Sequence, residues 1–187
     1  MTVPPKVRGP RALQLIFALV LMTLVLKAPA VQATEITQVV SPGGIEAWLV
    51  QEHSIPLIAV QVGFRGGAAL DPEGEAGLAN MVSGLLDEGA GDLDSTEFQK
   101  RLEDRAIRLS FDASMDRFSG SMMTLSEEKE EAFRLLGMAL SSPRFDTEPV
   151  ERIRRQLVVS LRHKAENPEH IANLAWYEHL FGGHPYG

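Results

Sequence analysis

The amino-acid sequence predicts an α+β domain in which helices are layered on one face of an antiparallel sheet. Short stretches that alternate or run apolar, and that carry β-branched residues, follow one another through tight turns, which is typical of antiparallel strands. The helical stretches are grouped, with two after the first strands and three after a later hairpin. A chain of 187 residues with 44% hydrophobic content is long enough to bury one core.

Two or three strands are predicted at the start of this domain. Their sequences are ITQVV, IEAWLVQEH and IPLIAVQVGF. The segment from Pro42 to Gly44 favours a tight turn and therefore joins the first strand to the second. Gly63, Gly66 and Gly67 break the third strand, and the segment DPEGE then forms a loop.

The first predicted helix lies in the segment GLANMVSGLLDEGAG, which starts at Gly77, and it runs into a glycine turn. One face of this helix is apolar. The opposite face carries an amide, a hydroxyl, a glycine and an acid, which are Asn80, Ser83, Gly84 and Asp87. A polar face of this composition offers few groups that could do chemistry.

Start and stop signals place the remaining helices around a β-hairpin. Asp94-Ser-Thr-Glu97 is a capping box, which predicts a second helix that ends near Arg105. The segments IRLSFDASMD and RFSGSMMTL predict two strands that turn near Met115 to Arg117. Three helices follow, at residues 126–140, at residues 148–166 after a cap at Asp146 or Thr147, and, after an interruption at Asn167-Pro168, through Trp176 to Phe181.

The first 33 residues predict a secretory signal peptide. Lys6, Arg8 and Arg11 precede the apolar stretch ALQLIFALVLMTLVL, and Val31 and Ala33 fit the small-residue pattern before a cleavage site. The alternative is an uncleaved N-terminal membrane anchor, although the apolar stretch is shorter than the span of about 20 residues that a bilayer needs. We therefore expect a periplasmic or secreted domain, residues 35–187.

Charge and cysteine content exclude several classes of function. Without residues 1–33 the chain has 14 basic and 25 acidic residues, a formal charge of −11. Such an acidic domain is a poor partner for nucleic acid or for an anionic membrane surface, so a membrane contact is expected only through an uncleaved signal segment. The absence of cysteine excludes disulfides, a thiolate nucleophile and thiolate metal ligands.

Three segments of the chain resemble the N-terminal domain of the pitrilysin/insulinase zinc metallopeptidases, the inverzincins. These segments are GLANMVSGLLDEGAG, SSPRFDTEPVERIRRQLV and ENPEHIA followed by LFGGHPYG. The corresponding family patterns are G-L-A-H-x-x-E-H-x-L-x-x-G, a phenylalanine before an acidic helix start, and D-N-P followed by F-x-x-H-P-Y-G. The resemblance implies the α+β fold of pitrilysin and the mitochondrial processing peptidase.

The resemblance also implies that the metal site of the active relatives is lost here. In H-x-x-E-H the two histidines bind one zinc ion and the glutamate activates the metal-bound water. In this register those positions are Asn80, Ser83 and Gly84. The family's third ligand is a glutamate eight residues before the proline of D-N-P, and Ser160 stands there. We therefore expect no catalytic residue, no bound zinc and no other cofactor.

What the resemblance implies about function is a catalytically inactive, exported subunit. It would pair with an active zinc-peptidase subunit of the same family and help to enclose a peptide substrate. One alternative is an active zinc metalloendopeptidase with non-standard ligands. Another is a stand-alone peptide-binding module. The end of the sequence at GGHPYG leads us to expect a domain truncated at its C-terminus.

Other candidate sites in the sequence have simpler interpretations. Glu178, His179 and His184 are close enough in sequence to suggest a metal cluster, but surface and loop roles are favoured. Four arginines form a basic stripe that could contact a partner's carboxylates or simply be solvated, namely Arg152, Arg154, Arg155 and Arg162. Asn80 and Ser83 could also bind a peptide through hydrogen bonds.

Overall fold

The computed structural model describes residues 35–184 and residue 186. The predicted signal peptide, residues 1–33, lies outside the described residues. Among the helices described, none is both long enough and apolar enough to cross a bilayer. The described chain divides into two compact units, one that ends at His53 and one that begins at Ser54.

The first unit contains a two-stranded antiparallel hairpin. Strands β1 (Ile36–Val40) and β2 (Glu46–Val50) pair in the register Ile36 to Val50. In the turn between them, the backbone N–H of Ile45 donates to Ser41 Oγ at 3.0 Å. Gly44 has a φ of +83°, a conformation that glycine adopts without strain. The predicted turn at Pro42 to Gly44 is thus confirmed.

The second unit contains a three-stranded antiparallel sheet and five α-helices. The strands are β3 (Leu57–Arg65), β4 (Arg108–Ala113) and β5 (Arg117–Leu125), in the spatial order β3-β5-β4. The helices are α1 (Leu78–Ser83), α2 (Ser95–Asp104), α3 (Lys129–Ser141), α4 (Thr147–Glu166) and α5 (Pro168–Phe181). The predicted fold class and order of elements are confirmed.

One face of the three-stranded sheet is covered by helices. Val60, Met122 and Leu109 are register partners across the strands, and Met122 and Leu109 are buried. The neighbouring positions Ser121 and Ser110 point to the other face and hydrogen-bond to each other through their hydroxyls at 2.9 Å. This alternation follows from the two-residue period of a strand and places the core on one side.

The core lies between that face and the helices α2 and α3. Phe98 and Leu102 of α2 are buried with four residues of α3, namely Ala132, Leu135, Leu136 and Ala139. Each helix places these apolar side chains three or four residues apart, so that a single stripe faces the sheet. Non-directional burial of this kind is the main stabilising contribution to the unit.

Side chains cap helices α2 and α5, whereas the N-cap residue of α4 makes no side-chain hydrogen bond to its helix. Asp94 Oδ1 accepts from the backbone N–H of Glu97 at 2.9 Å, as the capping box predicts. Asn167 Oδ1 accepts from the N–H groups of Glu169 and His170 and so caps α5. Asp146 is the N-cap residue of α4, but its carboxylate accepts from Arg144 Nε at 2.7 Å instead of from the helix.

The replacement Phe98→Ala is expected to destabilise the full chain by about 3–5 kcal/mol, because it removes a completely buried ring and leaves a cavity. Phe133→Ala is the matched control, since the Phe133 side chain is 49% exposed. We expect the control to cost about 1 kcal/mol or less. Urea denaturation followed by circular dichroism measures both, and equal losses would contradict the placement of the core.

Candidate functional site

The candidate site is built on α1, the helix that carries the degenerate motif. This helix begins at Leu78 and follows Gly77, whose φ of +100° lies in the left-handed region. The carboxylate of Asp71 accepts from the backbone N–H of Gly77 at 2.7 Å and from that of Ala79 at 2.9 Å. It thereby satisfies N–H groups that a helix start leaves unpaired. From the sequence Asp71 is predicted only as part of the DPEGE loop, and no local signal reveals this role.

Helix α1 is shorter than the sequence predicts. It ends at Ser83, and Gly84 is its C-cap, with an N–H that donates to the carbonyl of Asn80 at 3.2 Å. Leu85 and Leu86 lie beyond the helix in a turn and are buried. The apolar periodicity of the sequence continues through both leucines, so it does not reveal that the helix ends at Ser83.

The three motif positions on α1 have very different surroundings. Asn80 is exposed, Ser83 is buried and Gly84 is half-buried. Ser83 Oγ donates to the backbone carbonyl of Asn80 at 2.9 Å, so this hydroxyl is used within its own helix. A serine with that hydrogen bond and little solvent contact is poorly placed to act on a bound molecule.

Gly84 lies against the long helix α4. A Cβ atom added at Gly84 would stand 3.1 Å from Cγ2 of Ile153, which is buried. That separation is shorter than ordinary carbon–carbon contact distances. A side chain at position 84 therefore requires Ile153 to move, and glycine allows the close approach of the two segments.

Ser160 lies on α4 and is exposed. It follows Ile153 by seven residues, so the two share one face of the helix and are separated by about 10.5 Å along its axis. Ser160 lines an open groove of about 630 Å³ together with Arg155, Gln156, Val159, His163 and Lys164. The structure thus places three motif positions within one turn of α1, and the fourth in a groove on α4.

The donor set at these positions does not fit zinc. Zinc in proteins is held by imidazole, carboxylate or thiolate groups at about 2.0–2.3 Å. Asn80 and Ser160 offer a neutral amide and a hydroxyl, the Ser83 hydroxyl donates a hydrogen bond to the carbonyl of Asn80, and Gly84 has no side chain. Across residues 35–184 and residue 186, no group of three or more His, Asp or Glu side chains that could hold a metal is present.

The turn after α1 carries two carboxylates with different environments. Glu88 accepts from Arg152 of α4, at 3.1 Å on Oε1 and 2.5 Å on Oε2, and from Ser95 Oγ at 2.6 Å. Burial by itself would raise the pKa of Glu88, but the hydrogen bonds from Arg152 and Ser95 outweigh it and lower that pKa. This ion pair fastens the turn to α4.

Asp87 is the neighbouring carboxylate and has no such partner for its charge. Burial raises the pKa of Asp87 to about 6, with a smaller contribution in the same direction from the charge of Glu88. The backbone carbonyl of Asp87 accepts from Gln99 Nε2 at 2.9 Å, which ties the turn to α2. A half-buried acid with a raised pKa costs folding free energy at neutral pH.

The basic stripe on α4 divides into a paired part and an unpaired part. Arg152 contacts Glu88 and Glu148, and Arg154 contacts Glu151 at 3.3 Å. Arg155 and Arg162 have no ion-pair partner in the part of the chain that the structure describes. The arginines near the start of α4 are therefore held in ion pairs, and those further along the helix carry charge without a partner among the described residues.

Comparison with known proteins agrees with the resemblance found in the sequence. No protein-family model matches the chain. Over 160 residues the chain is 30% identical to a curated Helicobacter pylori protein named "Non-peptidase homolog YmxG". The match covers 86% of this chain and 36% of that relative, so the chain spans about a third of the relative's length.

Solved structures show the same fold. An inactive domain of peptidase M16 from Pseudomonas fluorescens matches with a TM-score of 0.75 and 24% identity, over 81% of this chain and 37% of that one. A Helicobacter pylori protease matches with a TM-score of 0.70 and 18% identity, over 82% of this chain and 37% of that one. Pitrilysin matches with a TM-score of 0.71 and 16% identity, over 84% and 17%. The predicted pitrilysin-type fold is confirmed.

The replacement Gly84→His is expected to destabilise the chain by about 1–3 kcal/mol, because the imidazole overpacks the contact with Ile153. Ile153→Ala by itself is expected to cost about 2–5 kcal/mol through the cavity it leaves. The double variant should lose at least about 1 kcal/mol less than the sum of the two, since alanine gives the histidine room. Strictly additive losses in urea denaturation would show that the two positions do not touch.

A pH-dependent effect is expected for Asp87→Asn. The pKa of the Asp87 carboxyl is about 6 in the folded state, and its ordinary value is 3.8. The folded state therefore binds the proton more tightly than the unfolded state does. The contribution of Asp87 is therefore most favourable below pH 3.8 and weakens as the pH rises through 6. The stability gained by the Asn variant should be about 1–2 kcal/mol larger at pH 7.5 than at pH 4.5.

The control for the Asp87 prediction is Asp92→Asn, since Asp92 is an exposed acid close by. Its effect on the free energy of unfolding should change by less than about 0.5 kcal/mol between the two pH values. If the Asp87 variant behaved like this control, the burial of the Asp87 carboxyl would be contradicted.

Proposed function

We propose that this chain, whose described residues have the fold of the peptidase M16 and pitrilysin domains, is a catalytically inactive peptidase-like subunit. Support comes from the curated relative, which is named a non-peptidase homolog, and from the inactive M16 domain that shares the fold. In this proposal the chain keeps the scaffold of a zinc peptidase and uses it for binding.

The observation that carries the proposal is the donor-poor face of α1 on a retained framework. The helix start is capped by Asp71, and the close approach to α4 is intact at Gly84 and Ile153. At two of the positions that hold zinc and activate water in active relatives, this chain has an exposed amide, Asn80, and a hydroxyl that donates to the backbone, Ser83. Stability resides in the framework residues, so the chemistry can be lost while the fold remains.

Peptide binding is proposed at the free edge of β4. Within the described residues β4 pairs with β5 on one side and with no strand on the other, and α1 packs against it. An extended peptide can complete the unpaired backbone groups of an edge strand, as strand addition does elsewhere. A peptide bound there would lie beside the helix that carries the degenerate motif.

Pairing with an active zinc-peptidase subunit of the same family is the second part of the proposal. Helix α5 leaves large apolar side chains exposed, among them Leu174, Trp176, Tyr177 and Leu180. Apolar surface of this extent is typical of protein–protein interfaces and supports an assembly with further polypeptide. Because of the predicted signal peptide, we propose that this assembly lies in the periplasm or outside the cell. An uncleaved signal would anchor it to the membrane.

Metal analysis and a protease assay test the inactive-subunit proposal. The purified full chain is expected to contain no stoichiometric zinc and to show no chelator-sensitive hydrolysis of casein. A mixture of the chain with a relative that has an intact H-x-x-E-H motif should hydrolyse casein, and a chelator should stop this hydrolysis. The two chains should also co-purify.

Two results would overturn this proposal. Stoichiometric zinc with chelator-sensitive cleavage by the chain alone would identify an active metalloendopeptidase with other ligands. Peptide binding by a monomer that never associates with an intact relative would instead identify a stand-alone binding module.

A further inference from the structure

The C-terminal half of α4 carries an open groove that the proposed function does not use. It has a volume of about 630 Å³ and is wide open to solvent, and every residue that lines it is exposed. One face of a single helix lines most of it, with Val159 exposed on its surface and Arg155, His163 and Lys164 around that apolar position. The groove thus combines an apolar surface with basic groups.

The charge of α4 from Arg152 to Ala165 is opposite to that of the domain. Residues 35–187 carry a formal charge of −11, yet from Arg152 to Ala165 the sequence holds five basic residues besides His163 and no acid. The first acid after this run is Glu166, which does not line the groove. Local positive charge on an acidic domain attracts anions that the rest of the surface repels.

Internal ion pairs do not account for the cations of the groove. At the start of α4, Arg152 and Arg154 have carboxylate partners. Arg155 and Lys164 have none among the described residues. The negative end of the helix dipole accounts for Lys164 in the last turn, but Arg155 lies near the middle of this 20-residue helix, beyond the reach of that effect.

Ser160 connects the groove with the degenerate motif. By the family resemblance this position is a glutamate in active members, and a carboxylate there would oppose the charges of Arg155 and Lys164. Serine carries no charge and leaves those of Arg155 and Lys164 unopposed.

We propose that this groove binds an acidic stretch of an extended peptide, with its carboxylates on Arg155 and Lys164 and an apolar side chain on Val159. The inference rests on the proposed peptide-binding function and names the class of peptide that the chain selects.

Fluorescence anisotropy with two labelled peptides tests this selection. Each peptide has about ten residues, which span about 33 Å when extended. One is composed of Glu, Val and Ser, and the other has Lys in place of Glu. The full chain should bind the acidic peptide, and binding should weaken when ionic strength rises from about 0.05 to about 0.3 M, because salt screens exposed charges.

Variants of the groove locate the binding. The double variant Arg155→Gln, Lys164→Gln should bind the acidic peptide about 3- to 10-fold more weakly, in line with the modest strength of exposed ion pairs. Ser160→Glu should weaken binding about 3-fold, whereas Ser160→Gln, of the same size and without charge, should not. Arg154→Gln is the matched control, because Arg154 is an exposed arginine paired with Glu151 outside the groove.

Circular dichroism and thermal midpoints establish that each variant is folded before binding is compared. Equal binding of the acidic and basic peptides, no binding of either, or equal losses in the Arg154 control would overturn the proposal. So would binding to anionic vesicles, or to a folded acidic protein, in place of the acidic peptide.

Failure here is distinguishable from failure of the proposed function, which is judged by zinc content, hydrolysis and co-purification. If the chain is inactive and pairs with an intact relative but shows no preference for acidic peptides, only the proposal for the groove is overturned. A chain that holds zinc and cleaves casein would overturn the inactive-subunit proposal, whatever the peptide preference.

Discussion

The close approach of α4 to the end of α1 is the constraint on which the candidate site depends. Ile153 occupies the space that a side chain at Gly84 would need, and Arg152, one residue earlier, holds Glu88 in the turn that follows. One packing contact and one ion pair therefore fix the ends of two helices against each other. Removing Arg152 would leave the carboxylate of Glu88 with Ser95 as its remaining side-chain donor.

This arrangement separates the stability of the fold from the four motif positions. The core between the sheet and helices α2 and α3 contains none of the four motif positions, since Phe98, Leu135 and their neighbours form it. Groups that act on substrates are held at the surface by the framework and contribute little to its stability. Asn80 and Ser160 are exposed, so replacing a ligand at either place leaves the packing unchanged.

Helix α4 joins two electrostatic regions that have different roles. Its first turns are fastened by carboxylates from the same helix and from the turn after α1. Its later turns carry cations with no partner among the described residues, on a domain whose net charge is strongly negative. The ion pairs hold the start of α4 in place, and the unpaired cations further along the helix stay available to a binding partner. Charges of this kind contribute to the specificity of binding more than to the stability of the fold.

The sequence alone determined the strands, the helices and the capping of α2, because these depend on interactions within a few residues. Alternating apolar positions marked β4 and β5, and Asp94 with Glu97 marked a helix start. The tertiary structure decided that α1 ends at Ser83, that Gly84 lies against Ile153 and that Glu88 pairs with Arg152. These contacts join residues more than sixty positions apart, and no local pattern specifies which distant side chain fills a given space.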